Sequence, residues 1–176
     1  MSNVPWFGPG VVASLLTAVA AASPLGSALG VRRALAGAMV FSLGIILFAT
    51  LTPLRSALET GDAGTGICDF SRLGFAPIGQ LNEFNDTSLN ILLFVPLGLT
   101  LGLLPVSARM AVVLMASIAL PFVIELLQLA LPQLARGCQS ADVVDNLTGL
   151  SIGVFLGVAA RIASRGDRAR SGQHRA

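Results

Sequence analysis

Residues 125–157 read ELLQLALPQLARGCQSADVVDNLTGLSIGVFLG, which is two apolar runs joined by a short polar link. Glu125 and Gln128 lie three residues apart in the first run, so on a helix they share one face. Asp145 and Asn146 open the second run. Ionisable groups at the edge of apolar segments are costly unless they face protein or water. The stretch therefore predicts two apolar helices that meet at a polar site.

The composition of the whole chain predicts a membrane protein. Of its 176 residues, 54% are hydrophobic and only 11% are charged, whereas a soluble domain carries about 25% charged residues. One core cannot absorb this apolar excess. We therefore predict an all-α fold, a polytopic membrane helix bundle of about five transmembrane helices that forms a single domain over residues 1–176.

Runs without charged side chains give the predicted spans, since about 20 helical residues cross the hydrocarbon core. The spans fall near residues 10–30, 34–54, 87–107, 109–131 and 142–161, and an Arg-rich cytoplasmic tail follows over 162–176. The first run, rich in Ala and Gly, has a second interpretation as a cleaved signal peptide. A signal peptide begins with basic residues, and no Arg precedes Arg32. We favour a retained helix.

The arginines predict the orientation. Five spans place on one side the residues Arg32, Arg33, Arg109, Arg161, Arg165, Arg168, Arg170 and Arg175, and on the other Arg55, Arg72 and Arg136. The positive-inside rule makes the first side cytoplasmic. We predict a multi-pass plasma-membrane protein with the N-terminus outside and the C-terminus in the cytoplasm. Four spans after a cleaved segment give the same partition.

Polar groups from three spans fall at one predicted depth in the outer leaflet. Glu125 lies about 9 Å inside the outer end of its span and Asn146 about 6 Å inside, from the helical rise per residue. Arg136 in the short link is expected to pair with Glu125 or Asp142, because a guanidinium donates two parallel hydrogen bonds to a carboxylate. The predicted binding pocket consists of Asn90, Glu125, Gln128, Arg136, Asp142 and Asn146.

Simpler structural roles compete for several of these positions. Asp142 can cap the last span, and Asp145 can sit in its first turn, where the helix dipole favours a carboxylate. We expect Asp145 to matter less than Asp142. Gly149, Gly153 and Gly157 share one helical face and predict close packing against another helix. Cys68 and Cys138 both fall in external links, where either a disulfide or two free thiols are compatible with the sequence.

The chain lacks the residues that several common catalytic and metal-binding sites require. The single histidine, His174, lies in the tail, so the chain offers neither a nucleophile–histidine pair at the outer face nor a convincing zinc set. We predict no metal and no cofactor. A net charge of +2 predicts no nucleic-acid partner. Two possibilities remain: general acid–base catalysis by the candidate catalytic residues Glu125 and Asp142, or polar recognition of a head group.

At these residues the chain resembles the VanZ-like family of small bacterial membrane proteins. Residues 90–98, NILLFVPLG, look like the family block N-x-x-L-F-x-P-L-G, and residues 125–128 match E-x-x-Q. The series Arg136, Gln139, Asp142, Asn146, Gly149 and Gly153 is similar to R-x-x-D-x-x-D-x-x-x-N-x-x-G-x-x-x-G, with Gln139 in place of the first Asp. Thr52-Pro53 is similar to the end of an early span. The resemblance covers residues 34–160.

The resemblance implies a cell-envelope protein of a family named for resistance to the glycopeptide teicoplanin. Two functional hypotheses follow. In the first, the outer polar pocket recognises a membrane lipid or a cell-wall precursor group, with effects on teicoplanin susceptibility. In the second, the protein is an intramembrane enzyme on a lipid-linked substrate, with Glu125 as general acid or base and Arg136 binding an anionic group. A transporter is a third option that one short bundle supports less well.

Overall fold

The computed structural model describes residues 5–77, 79 and 85–173, with side chains as far as residue 164. The chain is an all-α helical bundle, as its sequence predicted. Its helices are α1 (Phe7–Leu29), α2 (Arg33–Leu51), α3 (Arg55–Glu59), α4 (Asp86–Leu103), α5 (Ala108–Ala130) and α6 (Ser140–Gln173), with a 3₁₀ turn at Pro132–Leu134 and two short strands, β1 (Cys68–Asp69) and β2 (Cys138–Gln139).

Five of the described helices are long and apolar enough to cross a membrane. They are α1, α2, α4, α5 and the Ser140–Ser164 part of α6, with 18 to 25 residues each. Large apolar side chains such as Leu16, Val112, Phe122 and Phe155 are exposed on the outside of the bundle. Such a surface suits hydrocarbon rather than water, so the chain is a multi-pass membrane protein.

Two helices end earlier than the charge pattern suggested, and proline explains both ends. The second predicted span ran to residue 54, but α2 ends at Leu51 and Thr52 is extended at φ −93° and ψ 148°. The third ran to residue 107, but α4 ends at Leu103 and Leu104 is extended at φ −64° and ψ 146°. Pro53 and Pro105 follow these extended residues, and proline disfavours helical geometry in the residue before it.

The last helix continues beyond its predicted span. The Arg-rich segment was expected to begin a separate tail at residue 162, yet α6 remains helical to Gln173. Ala and Arg are strong helix formers and no proline interrupts the segment, so the helix continues past the apolar run although it includes Gly166 and Gly172. His174, Arg175 and Ala176 lie outside the described residues.

Glycines set the central packing of the bundle, between α4 and α6. A Cβ atom at Gly149, Gly153 or Gly157 would collide with backbone atoms of α4, and one at Gly98 or Gly102 would collide with backbone atoms of α6. Small residues let membrane helices approach until their backbones touch. The glycine row of α6 thus packs along α4, while α5 touches α6 less extensively.

A second helix pair, α1 and α2, packs in the same way through small residues. A Cβ at Gly44 would lie 2.7 Å from the Ser14 Cβ, and one at Gly10 would lie 2.8 Å from the Phe48 Cβ. The turn between the helices uses Gly30 at φ 69°, a conformation that suits glycine. Retention of α1 in the mature protein stays a prediction.

The two ends of the bundle differ in their polar groups. We call the end where α2 and α5 finish and α4 and α6 begin the cavity end, and the other the opposite end. At the opposite end Arg109 donates to the carbonyl oxygen of Ala28 at 2.5 Å, and Arg161 donates to that of Leu104. Both carbonyls belong to helix C-termini, where orphan acceptors and the helix dipole favour a cation.

Candidate functional site

A cavity of about 360 Å³ lies at the cavity end, between α2, α4, α5 and α6. Its lining includes all six residues of the predicted pocket, Asn90, Glu125, Gln128, Arg136, Asp142 and Asn146, together with Phe7, Ala49, Thr50, Leu54, Asp86, Leu89, Leu93, Ala135, Gly137 and Gln139. The structure brings the six together in one place. That they bind a ligand stays a prediction.

Glu125 and Gln128 enter the cavity from one face of α5, one turn apart. Each is 6% exposed. The Gln128 Nε2 donates to the carbonyl oxygen of Thr50 at 2.9 Å, which is one of the orphan acceptors at the end of α2. The Glu125 Oε2 accepts a hydrogen bond from the backbone N–H of Gln139 at 2.7 Å. These bonds connect α5 to α2 and to the α5–α6 link.

Arg136 reaches the cavity from that link, but it does not form the expected ion pair. Its Nε donates to the carbonyl oxygen of Thr52 at 3.0 Å, and neither Glu125 nor Asp142 is its partner among the ion pairs of the described residues. The link runs past the end of α2, so a free carbonyl there takes the bond. The prediction that Arg136 pairs with a carboxylate is therefore wrong.

The second terminal nitrogen of Arg136, Nη2, is buried and has no hydrogen-bond partner. Burial lowers the pKa of the Arg136 guanidinium from its ordinary value, while the nearby carboxylates of Asp142 and Asp86 act to raise it. An arginine side chain keeps its proton in proteins. Arg136 is thus the one cation among the described residues that line the cavity, and one of its N–H donors is unused.

The start of α4 and the start of α6 supply the opposite wall. Asn90 on α4 donates a side-chain hydrogen bond to Asp142 on α6. Asn146, one turn further along α6, is 1% exposed, and its Oδ1 has no hydrogen-bond partner. Asp86 begins α4 and also lines the cavity. Asn85 caps this helix by accepting from the backbone N–H of Ser88 at 3.0 Å, which fixes where α4 begins.

Asp145 has a role that the sequence interpretation missed. Expected to be a minor first-turn charge, it is 1% exposed, and its Oδ2 accepts a hydrogen bond from Arg72 Nη2 at 2.5 Å. Arg72 also donates to the carbonyl oxygen of Ala141 at 3.4 Å, and its own carbonyl accepts from Ser140 Oγ at 2.7 Å. The sequence did contain a signal for this pair. Only three arginines fall on the predicted external side, and Arg72 was one for which no carboxylate partner had been assigned.

The segment between α3 and α4, which contains Arg72 and which we call the long link, is joined to the α5–α6 link by a disulfide between Cys68 and Cys138, whose Cα atoms lie 4.5 Å apart. Of the two alternatives left open by the sequence, the structure contains the bond. Strands β1 and β2 pair in parallel there, with Cys68 opposite Cys138 and Asp69 opposite Gln139. Gly64 adds a backbone hydrogen bond to Pro132 of 2.7 Å. The α5–α6 link, which carries Arg136 into the cavity, is thereby held from outside the bundle.

We next ask whether the fold brings together metal-ligating side chains of the described residues. Among the described residues, no three His, Cys, Asp or Glu side chains form a group that could hold a metal ion. The disulfide uses both cysteines of the chain. The acceptors and donors at the cavity are instead carboxylates, side-chain amides and one guanidinium.

These features define a class, a polytopic helical membrane protein with a polar cavity at one end of its bundle. The family model described as VanZ/LLP1 matches residues 39–161, and the chain belongs to the VanZ/LLP1 family. The matched range contains all six residues of the predicted pocket, Arg72 and both cysteines. Searches of curated proteins and of solved structures gave no match.

Proposed function

We propose that this protein recognises the polar head group of a membrane lipid, or of a lipid-linked cell-wall precursor, in the cavity. The observation that carries the proposal is a set of buried polar atoms without partners around it, namely Gln128 Oε1, Arg136 Nη2 and Asn146 Oδ1. Leaving such an atom unpaired costs about 1–3 kcal/mol. A head group would supply partners for all three, and the cavity volume is within the range of ligand pockets.

The orientation that fits this function has the cavity in the outer leaflet, the N-terminus outside and the C-terminus in the cytoplasm. The arginine partition supports it, since Arg32, Arg33, Arg109 and Arg161 all lie towards the opposite end. The disulfide at the cavity end supports it independently, because disulfides persist outside the cytoplasm. Reporter fusions at residues 65 and 172 should report opposite sides, and the same side for both would exclude this topology.

An effect on teicoplanin susceptibility would follow if the bound group belongs to a cell-wall precursor at the outer face. Holding that group would change its availability to a glycopeptide that acts there. Cells expressing the wild-type chain should then differ in teicoplanin susceptibility from cells expressing Arg136→Gln at equal protein level. Equal susceptibility would remove the resistance role while leaving lipid recognition to be tested separately.

Lipid recognition itself is tested by mass spectrometry of the purified protein in its native state. Wild type should carry a lipid that Arg136→Gln and Asn146→Ala lose. Ser151→Ala is the matched control, because Ser151 lies on the exposed face of α6 and donates only to the carbonyl oxygen of Leu147. Loss of lipid from the control, or unchanged lipid in both cavity variants, would contradict the proposal.

An intramembrane enzyme is the second candidate, and the bonding of Glu125 favours it. The backbone N–H of Gln139 holds one carboxylate oxygen of Glu125, so the group is oriented at the cavity wall as a general acid or base requires. Asp142 is the other candidate carboxylate. Glu125→Gln should keep lipid binding and abolish turnover if the site is catalytic. An unaltered lipid after prolonged incubation with wild type would leave recognition alone.

A further inference from the structure

The charged residues around the cavity are unequal in sign. Among the described residues that line it, Asp86, Glu125 and Asp142 are acidic, and Arg136 is the basic one. Asp86 and Asp142 also lie near enough to interact unfavourably as like charges. An anionic group alone, the ligand expected for Arg136 from the sequence, would face a majority of carboxylates. The cavity needs a ligand that also brings positive charge.

The unpartnered neutral groups also favour a ligand with a positive donor, because both are hydrogen-bond acceptors. Gln128 Oε1 and Asn146 Oδ1 belong to side chains that are more than nine-tenths buried and line the cavity. The amide of Gln128 cannot be reversed without losing its bond, since its Nε2 donates to the carbonyl oxygen of Thr50. Acceptors of this kind are completed by N–H or O–H donors. A primary ammonium group offers three N–H donors and a charge.

One buried hydrogen-bond donor at the cavity, on Arg136, has no acceptor. Arg136 uses its Nε on the carbonyl oxygen of Thr52 and leaves its buried Nη2 unpaired. A phosphate or carboxylate oxygen is the partner that a guanidinium prefers. The complementary ligand therefore carries an anionic oxygen for Arg136 beside a positive donor for the acids and amides.

The aromatic content of the cavity separates primary from quaternary ammonium. A quaternary ammonium has no N–H to donate and is bound in proteins by cages of aromatic rings. Phe7 is the one aromatic residue in the cavity lining of the described chain. The acceptors at Gln128 and Asn146 would stay unpaired beside such a group.

Building on the proposed head-group recognition, we infer that the cavity selects a zwitterionic group with a primary ammonium beside a phosphate, as in phosphoethanolamine. The ammonium lies among Asp86, Asp142 and the amide oxygens of Gln128 and Asn146, and the phosphate contacts Arg136. Two sources carry this chemistry, the head group of a bilayer lipid and a free amine phosphate. Both fit the same contacts.

The test uses the full chain in nanodiscs that contain equal amounts of three dioleoyl lipids, phosphatidylethanolamine, phosphatidylcholine and phosphatidylglycerol. Native mass spectrometry should show phosphatidylethanolamine retained at least about tenfold over either of the others, which corresponds to about 1.4 kcal/mol. Asp86→Asn should reduce this preference several-fold. Asp62→Asn is the control, since it removes one carboxylate charge from the long link that precedes α4, and Asp62 does not line the cavity.

The outcomes separate this inference from the function on which it rests. Preference for phosphatidylglycerol that Arg136→Gln removes, or equal retention of phosphatidylcholine, would overturn the ammonium assignment and keep head-group recognition. No selectivity in wild type, with cavity variants that behave as wild type does, would overturn both. Displacement of phosphatidylethanolamine by soluble phosphoethanolamine would support the inference and show that acyl chains are not needed. Selectivity without displacement would support it with a lipid as the source.

Discussion

Helices α4 and α6 lie against each other along most of their length, yet the two halves of their contact are built differently. Towards the opposite end, Gly98, Gly102, Gly153 and Gly157 bring the backbones together. Towards the cavity end, Asn90, Asp142 and Asn146 replace glycines on the facing surfaces, and a cavity remains. One half has no room for a single added carbon atom, and the other has buried polar atoms without partners.

This difference separates stability from function within one helix pair. Closely packed backbones give stability, because dispersion contacts and small residues drive helix association in lipid. Unpaired polar atoms weaken the bundle and are retained, in our proposal, for a ligand. Variants in the glycine half should therefore affect folding, and variants in the cavity half should affect binding with little loss of stability.

The largest effect is expected for Gly153→Ala. The added Cβ would meet the carbonyl oxygen of Val95 and would lie 2.7 Å from the backbone N of Leu99. Backbone atoms cannot rotate aside as a side chain can, so α4 and α6 must separate, at a cost at or above the top of the range of about 1–3 kcal/mol that is typical of overpacking. Thermal unfolding in detergent measures it. Gly8→Ala on α1 is the matched control, because nothing lies within 4 Å of its Cβ. Equal unfolding temperatures would contradict the close packing.

The next effect concerns the bond that holds the cavity end from outside. Removing the disulfide with the double variant Cys68→Ser/Cys138→Ser should cost about 2–4 kcal/mol. A reductant should lower the unfolding temperature of wild type by a similar amount and leave the double variant unchanged. A reductant effect of equal size on both proteins would show that the bond does not stabilise this end.

A smaller loss is expected for Asp145→Ala, which removes the partner of Arg72. Asp145 is almost fully buried, so its loss leaves Arg72 without its carboxylate, at a cost of about 1–3 kcal/mol. Glu59→Ala breaks the exposed i,i+4 pair with Arg55 and should cost no more than about 0.5 kcal/mol. If the two variants unfold at one temperature, Asp145 is the minor charge that the sequence first suggested.

The smallest effect is expected for Asn146→Leu. This change removes an amide oxygen that has no partner, so stability should stay unchanged or rise by about 1 kcal/mol, while lipid selectivity falls. Gln128→Leu is the comparison, since it also deletes the hydrogen bond to Thr50 and should lose about 1 kcal/mol. Equal losses in the two variants would indicate that the Asn146 oxygen is paired in the folded protein.

The sequence alone determined the class of fold, the number of spans and six of the sixteen described residues that line the cavity. These follow from local rules. Charge-free runs set the spans, Glu125 and Gln128 share a face because they lie three residues apart, and the glycine row indicates a close contact whatever its partner. The ordered motifs over the same residues indicated the family that the comparison then matched.

Tertiary structure alone decided which groups meet. It packed the glycine row of α6 against α4, and it paired Arg136 with the carbonyl oxygen of Thr52. It also paired Arg72 with Asp145, which lies 73 residues away in the sequence. The partner of Arg72 depends on where the disulfide and the short strands hold the nearby residues Cys68 and Asp69. Helical periodicity fixes the face on which a side chain lies, and only the packed bundle fixes what that face meets.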